Sequence, residues 1–462
     1  MNDTPHKPDY ALFGAVGALV AFGLVMVYSA SFVEGYNLYG NQYHYLLRQI
    51  VGATIGAFGL YIAQRLDYNV WRRFSVHLMG LALILLVLVL VLPDSMTKVN
   101  NSKSWIRFGG GLSLFSIQPS EIAKLAIIVY FADWLSRRSD KVGNVTYGLI
   151  PFGVMLGLVC GLVMLEPDLG TTVVLVMIGS IIYFAAGAKI WHVLGAAGLG
   201  AAAFYILVNF IGFRNYRIAA FMDPWKYYDT YGYQPIHALY ALGSGGIFGV
   251  GLGQGRQKFQ WLPQPHTDTI FAIIGEEFGL IGTLLVLAGF GLIAYRGYHI
   301  AARVRDPFAA LVAVGITSWL AFQALLNLAV TTSLVPFTGL TLPFLSYGST
   351  SLITCMVGAG VLLSISRHSS TRQLQETTDV AFSRRQPTPA FLAALPLRWG
   401  NGRARLPGPG GRRSPGRKGP IGRQLPQKIV STISAALAGW SRLLWPPKAR
   451  YRFARCRLRP CA

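Results

Sequence analysis

Acidic, basic and cationic side chains gather in one stretch of an otherwise apolar chain. Residues 231–282 read YGYQPIHALYALGSGGIFGVGLGQGRQKFQWLPQPHTDTIFAIIGEEFGLIG. They place His266, Asp268, Glu276 and Glu277 near the start of a hydrophobic helix, with Arg256 and Lys258 just upstream. A carboxylate in that position has two uses. Asp268 can cap the helix by accepting backbone N–H bonds. It can also act as a general base, with a proton affinity tuned by partial burial. His266-Thr267-Asp268 offers too few ligands for a dedicated transition metal. Arg256 and Lys258, with Arg214 and Arg217 before them, suit an anionic head group at a membrane surface. Anchoring to lipid is the plainer use of the same charges.

Two other stretches carry ionisable groups. Gln118-Pro119-Ser120-Glu121 reads as a helix start: Pro119 lacks the N–H that a first turn leaves unpaired, and Glu121 suits the positive helix end. Glu121 and Lys124 lie three apart, on one helix face. A charged pair inside a membrane helix points to function by default, although it can be structural. Glu166-Pro167-Asp168 is a two-carboxylate turn, in which Asp168 also makes a sound helix N-terminal acid. Trp105, between Lys103 and Arg107, fits either an interfacial anchor or a lip that binds an amphiphile.

The elements that hold these groups are membrane helices. Of the 462 residues 53% are hydrophobic and 13% charged, and mean hydropathy is +0.45; soluble domains carry about 25% charged residues. A span needs roughly 20 apolar residues. Ten such runs are expected, at 11–32, 46–64, 74–92, 119–136, 148–165, 169–187, 190–212, 270–295, 308–331 and 343–366, which makes the chain an all-α polytopic membrane protein. The short loops at 65–73, 137–147, near 188 and at 296–307 carry Lys and Arg; those at 33–45, 166–168 and 332–342 carry none. The positive-inside rule then puts both termini in the cytoplasm and the large loops 93–118 and 213–269 outside. Irregular polar backbone beside membrane spans survives where it is buried in protein or lines a cavity, so 231–282 reads as a site.

Net charge sharpens this. Of the formal +23, residues 367–462 hold 20 Lys and Arg against 2 Asp and Glu, leaving 21 against 16 for the rest. The polycation is the tail, which argues against specific nucleic-acid binding. Residues 369–462 form a basic cytoplasmic tail, Pro-, Gly- and Arg-rich at 401–427 and mostly disordered. Within it 428–445 repeats Ile429, Ile433, Leu437, Trp440 and Leu444 on one helical face, which suits an interfacial helix on anionic membrane lipid. Residues 1–10 form a short cytoplasmic N-terminus without a cleavable signal pattern. Four cysteines make no metal or redox spacing. GLGQGRQK lacks the Gly-Lys-Ser/Thr ending of a phosphate loop, which argues against nucleotide-driven coupling.

Taken in order, these motifs resemble the SEDS family (shape, elongation, division and sporulation, with FtsW, RodA and SpoVE among its members) over residues 10–368. The matching residues are Trp105-Ile106, Gln118-Pro119-Ser120-Glu121 with Lys124, and Glu166-Pro167-Asp168-Leu169-Gly170-Thr171. They continue with Ala241 to Gly246, Gly251 to Gln254, His266-Thr267-Asp268, Phe271-Ala272, Gly275-Glu276-Glu277, Leu342-Pro343 and Ser346-Tyr347-Gly348. The pattern at Gly251 to Lys258 is nearer to the division members. There are departures. Lys103-Ser104 precedes Trp105 where many members carry Arg, Thr269 replaces Phe, and Gln264-Pro265 replaces Pro-Glu.

The resemblance implies a peptidoglycan glycosyltransferase that polymerises lipid II on the outer face of the bacterial plasma membrane, at the division septum. It implies Asp268 as the catalytic base of an inverting transfer. Trp105, Glu121, Lys124, His266 and Ser346 would then serve the substrate. Lys103, Arg107, Arg214, Arg217, Arg256 and Lys258 are candidates for the departing pyrophosphate, which a divalent cation (Mg or Mn) could also assist. Implied partners are a class B penicillin-binding protein and other division membrane proteins. Two further classes stay open at this point: a lipid II flippase, which should hold its key charges near the bilayer midplane, and a non-catalytic scaffold.

Overall fold

A computed structural model describes residues 7–99, 102–107, 116–192, 194–195, 198, 200 and 215–368. The chain runs through α1 (Tyr10–Tyr39), α2 (His44–Arg65), α3 (Tyr68–Arg73), α4 (Ser75–Val91), α5 (Asp94–Thr97), α6 (Pro119–Ser136) and α7 (Ile150–Leu165). It continues with α8 (Leu169–Ala185), α9 (Asn215–Met222), α10 (Tyr233–Gly245), α11 (Ile270–Arg303), α12 (Pro307–Thr331) and α13 (Ser349–Ser366). Six helices among the described residues are long and apolar enough to cross a membrane. The apolar helices α4 and α8, of 17 residues each, are one residue shorter than the shortest of these. α6 carries three charged residues, Glu121, Lys124 and Asp133. These nine helices match nine of the expected spans. Most of the expected span 190–212 lies outside the described residues, as do the tail and its helix at 428–445.

Local chemistry explains the ends. Asp9 caps α1 by accepting from the Leu12 N–H at 3.1 Å, and Asp306 caps α12 by accepting from Phe308 N–H at 3.1 Å. Pro119 and Pro307 stand in first turns, where the missing donor costs nothing. Loop 98–117 departs from all-α: strands β1 (Lys98–Val99) and β2 (Ser102–Lys103) form one antiparallel pair, and β3 (Ile106–Arg107) and β4 (Ser116–Ile117) another.

α12 is the axis. It is buried on nearly every side and packs on α6, α8, α11 and α13. A helix apolar all round has this place in a bundle. α13 lies along α2, where Gly52 and Gly56 let the backbones close: a Cβ on Gly56 would meet Met356 Sδ at 2.6 Å. The cationic loops share one end of the bundle. There Asp133 accepts from Arg72 Nε (3.2 Å), Arg137 Nε (2.7 Å) and Ser75 Oγ (3.0 Å), and Arg296 pairs with Asp9 at 2.9 Å.

Two expected spans need correction. The last was expected from 343, but α13 starts at Ser349. Residues 342–348 form a turn, with Phe344 at φ +64° and Leu342 N–H donating to Ser346 Oγ at 2.8 Å. Span eight was expected to be continuous, but α11 breaks at Gly279 (φ +63°, ψ −158°). The Gly-rich segment after α10 takes over the interrupted ladder. Val250 and Gly251 N–H donate to the Glu276 and Glu277 carbonyls, both at 3.0 Å. Leu280 and Ile281 N–H donate to the Gly246 and Ile247 carbonyls at 2.9 and 3.2 Å. Two carbonyls and two N–H groups freed by the break are thus paired inside protein, as a membrane requires.

At Gly279 a Cβ would lie 2.4 Å from Gly249 N and 2.5 Å from Ile247 O. Gly279→Ala combines that clash with a backbone conformation that costs a side chain ~1–3 kcal/mol. We expect it to lower the melting midpoint in detergent by several degrees. Gly291→Ala, in the same helix with open space at its Cβ, should not. An unchanged midpoint for Gly279→Ala would remove the break as a structural requirement.

Candidate active site at the outer ends of the helices

Asp268 stands just before α11, at the end of the bundle opposite the cationic loops. Only 8% of it is exposed. Its Oδ1 accepts from Thr267 Oγ1 at 2.9 Å. Burial raises its proton affinity above that of an ordinary aspartate, against the opposing pull of the Thr267 bond, of His266 and of Arg217. Gly339 (φ +74°) brings loop 338–341 to the carboxyl edge: a Cβ there would sit 3.9 Å from Asp268 Oδ2.

The position of Asp268 is set from α12. Trp319, Gln323 and Asn327 recur every fourth residue and form one polar line down this buried helix. Asn327 Nδ2 donates to the Asp268 carbonyl at 2.9 Å and to the Leu340 carbonyl at 2.7 Å. One turn deeper, Gln323 Nε2 donates to the Thr341 carbonyl at 2.9 Å. Gln323 Oε1 accepts from Lys124 Nζ at 2.8 Å and from Trp319 Nε1 at 2.7 Å. Lys124, with no exposed surface, also donates to Glu121 Oε1 at 2.8 Å and lies 5.2 Å from the Trp319 ring centroid. Glu121 and Lys124 thus hold the floor of the site.

A second wall comes from the carboxylate turn. Asp168 caps α8, accepting from Thr171 N–H at 2.9 Å and Thr171 Oγ1 at 2.7 Å. Gln118 Nε2 lies 3.5 Å from its Oδ2. Burial raises Asp168's proton affinity, and the charges of Lys124 and Glu121 reach it. Glu166 is fully buried, and its carboxyl is pushed up to about 9 by burial and then by Asp168. Ser104 Oγ donates to the Glu166 carbonyl at 3.0 Å, which docks the Trp105 loop on this turn. Trp105 and Arg107 are half-buried there. Lys103 pairs with Asp94.

The remaining candidates separate. His266 packs between Tyr45 and Tyr347, at 4.3 and 5.3 Å between ring centroids. Its Nδ1 lies 3.3 Å from Glu34. Ser346 is buried and shapes its own turn, and its carbonyl accepts from Gln49 Nε2 at 3.1 Å. Arg217 Nη1 donates to the Phe337 carbonyl at 3.1 Å, beside a cavity of about 160 Å³ also lined by Phe221, Tyr233, Gln234 and Pro263. Arg256 is exposed. Lys258 does not reach the outer surface: its fully buried ammonium donates to Glu277 at 2.5 Å and to Ser29 Oγ at 3.1 Å. Glu276 accepts from the Arg256 and Gln257 N–H groups at 2.6 and 3.2 Å and shapes the turn before them. Arg214 lies outside the described residues. Among the described residues no cluster of three or more His, Cys, Asp or Glu could hold a metal.

Sequence reading missed Gln323, Asn327, Gln49 and Glu34. The signal for the amides was present: two amides four residues apart in an apolar 25-residue helix need partners from elsewhere.

A family model described as a cell cycle protein, covering FtsW, RodA and SpoVE, matches residues 10–371. The chain belongs to this family of polytopic membrane proteins. Stage V sporulation protein E of Bacillus subtilis is 42% identical over 372 residues, covering 80% of this chain and all of that one. A probable peptidoglycan glycosyltransferase FtsW of Trichlorobacter lovleyi is 40% identical, over 78% of this chain and 93% of that one. Among solved structures, a chain of a peptidoglycan synthase complex that coordinates polymerisation and crosslinking superimposes with a TM-score of 0.62. It is 27% identical, over 79% of this chain and 99% of its own.

Glu166 gives a test of this geometry. Its carboxyl, pushed up to about 9 in the folded protein, stands well above the ordinary glutamate value of 4.5. Between those limits the folded state keeps a proton that the unfolded state has lost, so stability falls as pH rises. Glu166→Gln keeps the shape without the titration. Its melting midpoint should therefore fall less than the parent's between pH 5 and 9, and parallel curves would refute the buried, protonated carboxyl.

Proposed function

We propose that this protein is a peptidoglycan glycosyltransferase that polymerises lipid II into glycan strands on the outer face of the plasma membrane. The observation that carries the reading is a buried, amide-anchored Asp268 beside Arg217, at the outer ends of helices in a chain of this family. The relatives named as glycosyltransferases support the reaction class.

Chain growth joins the 4-hydroxyl of one sugar to the anomeric carbon of another, and lipid pyrophosphate departs. Asp268 accepts the hydroxyl proton as the new bond forms on the face opposite the leaving group. Its raised proton affinity suits it to that step. Arg217, held by Phe337, is placed to steady negative charge near the same carboxylate. Arg256, on the exposed turn, is a second cation open to a pyrophosphate. Lys124 and Lys258 are consumed by Glu121 and Glu277 and act on the scaffold. A divalent cation, where one takes part, would ride on the pyrophosphate oxygens. A class B penicillin-binding protein would crosslink the strands and be the partner in the membrane, and the many FtsW relatives favour septal synthesis with the other division proteins.

The first test gives the purified chain and its cognate penicillin-binding protein labelled lipid II and Mg or Mn, beside Asp268→Asn. Polymer from the parent and none from the variant is expected. Equal polymer from both would dismiss Asp268 as the base. Polymer from neither, with lipid II translocated in vesicles, would favour a flippase instead. The base must be ionised, so the rate should rise with pH through a pKa above the usual value of about 4. Arg217→Gln removes a charge that favours ionisation, and should move that rise to higher pH. Asn327→Leu should keep KM near the parent's value and lower kcat by about ten- to a hundredfold through misplacement of the carboxylate. An unchanged kcat would break the link between α12 and the base.

A further inference from the structure

At the cytoplasmic end of the bundle, far from Asp268, α6 and α7 diverge and leave a groove of about 350 Å³. Tyr130, Trp134, Pro151, Val154 and Leu158 line it. Its floor is fixed by the Phe152 ring, 4.5 Å from both Phe131 and Tyr183. Before α7 the chain makes a π-helical turn, Val145–Leu149, started by Asn144 accepting from Thr146 N–H at 3.0 Å. Such turns widen a helix and recur at functional sites. Tyr147, Ile150, Val154 and Leu158 form an exposed apolar stripe along α7, which in a membrane faces acyl chains.

The rim of the groove is cationic. Arg137 is bound to Asp133, but its neighbours turn outward. The Arg138 guanidinium lies 5.1 Å from the Trp134 ring centroid, and the Lys141 ammonium 5.7 Å from that of Tyr147. Asp140 is the one acid in the turn between them. Two cations over aromatic rings, at head-group depth above an apolar slot, match one kind of molecule: a lipid whose phosphate is not offset by its own ammonium.

We propose that this groove binds an anionic phospholipid of the cytoplasmic leaflet, one acyl chain between α6 and α7 and its phosphate received by Arg138 and Lys141. The site is independent of the glycosyl-transfer chemistry. The basic tail draws anionic lipid to the same face without selecting a groove, so the test must report position.

The full-length protein is reconstituted in phosphatidylcholine vesicles containing a minority of phosphatidylglycerol. Either lipid carries a photoreactive group in its acyl chain, and labelled peptides are mapped by mass spectrometry. Phosphatidylglycerol should label residues 130–134 and 151–158. Arg138→Gln with Lys141→Gln should cut that labelling at least threefold and leave labelling by the phosphatidylcholine probe unchanged. Val154→Trp, which fills the slot from an exposed position, should remove labelling by both. Melting midpoints verify that the variants fold. Equal labelling by the two probes, or labelling indifferent to both cations, would overturn the proposal. So would loss of that labelling on co-reconstitution with the cognate penicillin-binding protein, which would give the groove to a partner's helix.

Discussion

Moving the Lys124 ammonium out of water costs several kcal/mol unless its protons are taken up. Glu121 and Gln323 take two of them, and the Trp319 ring covers the side chain. From that requirement follows most of the outer architecture. Gln323 must present its carbonyl to Lys124, so its amide faces Thr341. One turn on, Asn327 repeats the device on Leu340 and Asp268. The Lys124–Gln323 bond thus fixes α6 to α12, and α12 fixes two loops. The loops add bonds of their own: Tyr347 N–H donates to the His266 carbonyl at 2.8 Å and Thr269 Oγ1 to the Gln264 carbonyl at 3.1 Å.

The same logic operates twice more, each time with a different carboxylate. Glu277 neutralises Lys258 and receives Ser29 from α1, tying the Gly-rich turn to the first helix. Asp133 gathers Arg72, Arg137 and Ser75 at the opposite end. Breaking Glu121–Lys124 or Glu277–Lys258 by removing one partner would leave an uncompensated charge in a dry interior, which is why such pairs resist single substitution. None of the three touches the surface where a sugar could arrive. They show that an ionisable residue in a membrane helix is a weak guide to chemistry until its neighbours are known.

Much was legible in the sequence. Nine spans follow from the length of apolar runs, and the face of the cationic loops from Arg and Lys alone. The motif residues Glu121, Lys124, Asp168 and Asp268 do meet around one end of α12. What was not legible depends on partners distant in sequence. Lys258 looks like a substrate cation until Glu277 and Ser29 are found beside it. The break at Gly279 is invisible because a glycine in an apolar run is usually a packing residue, and only the backbone of 246–251 reveals its use. Asn327 and Gln323 carry no motif. Their meaning lies in which carbonyls they reach.

The break also fixes a depth. From Arg296, at the cytoplasmic end, to Gly279 is seventeen helical steps, or ~26 Å, close to the hydrocarbon thickness of about 30 Å. The nine residues from Ile270 to Phe278 rise by at most ~14 Å more. Gly279 therefore lies near the outer boundary of the hydrocarbon, and Asp268 stands among the phosphates and water above it. On the proposed reading, a polyprenyl-linked sugar in the outer leaflet would carry its pyrophosphate at this height and reach the site by lateral diffusion, its tail still dissolved in lipid.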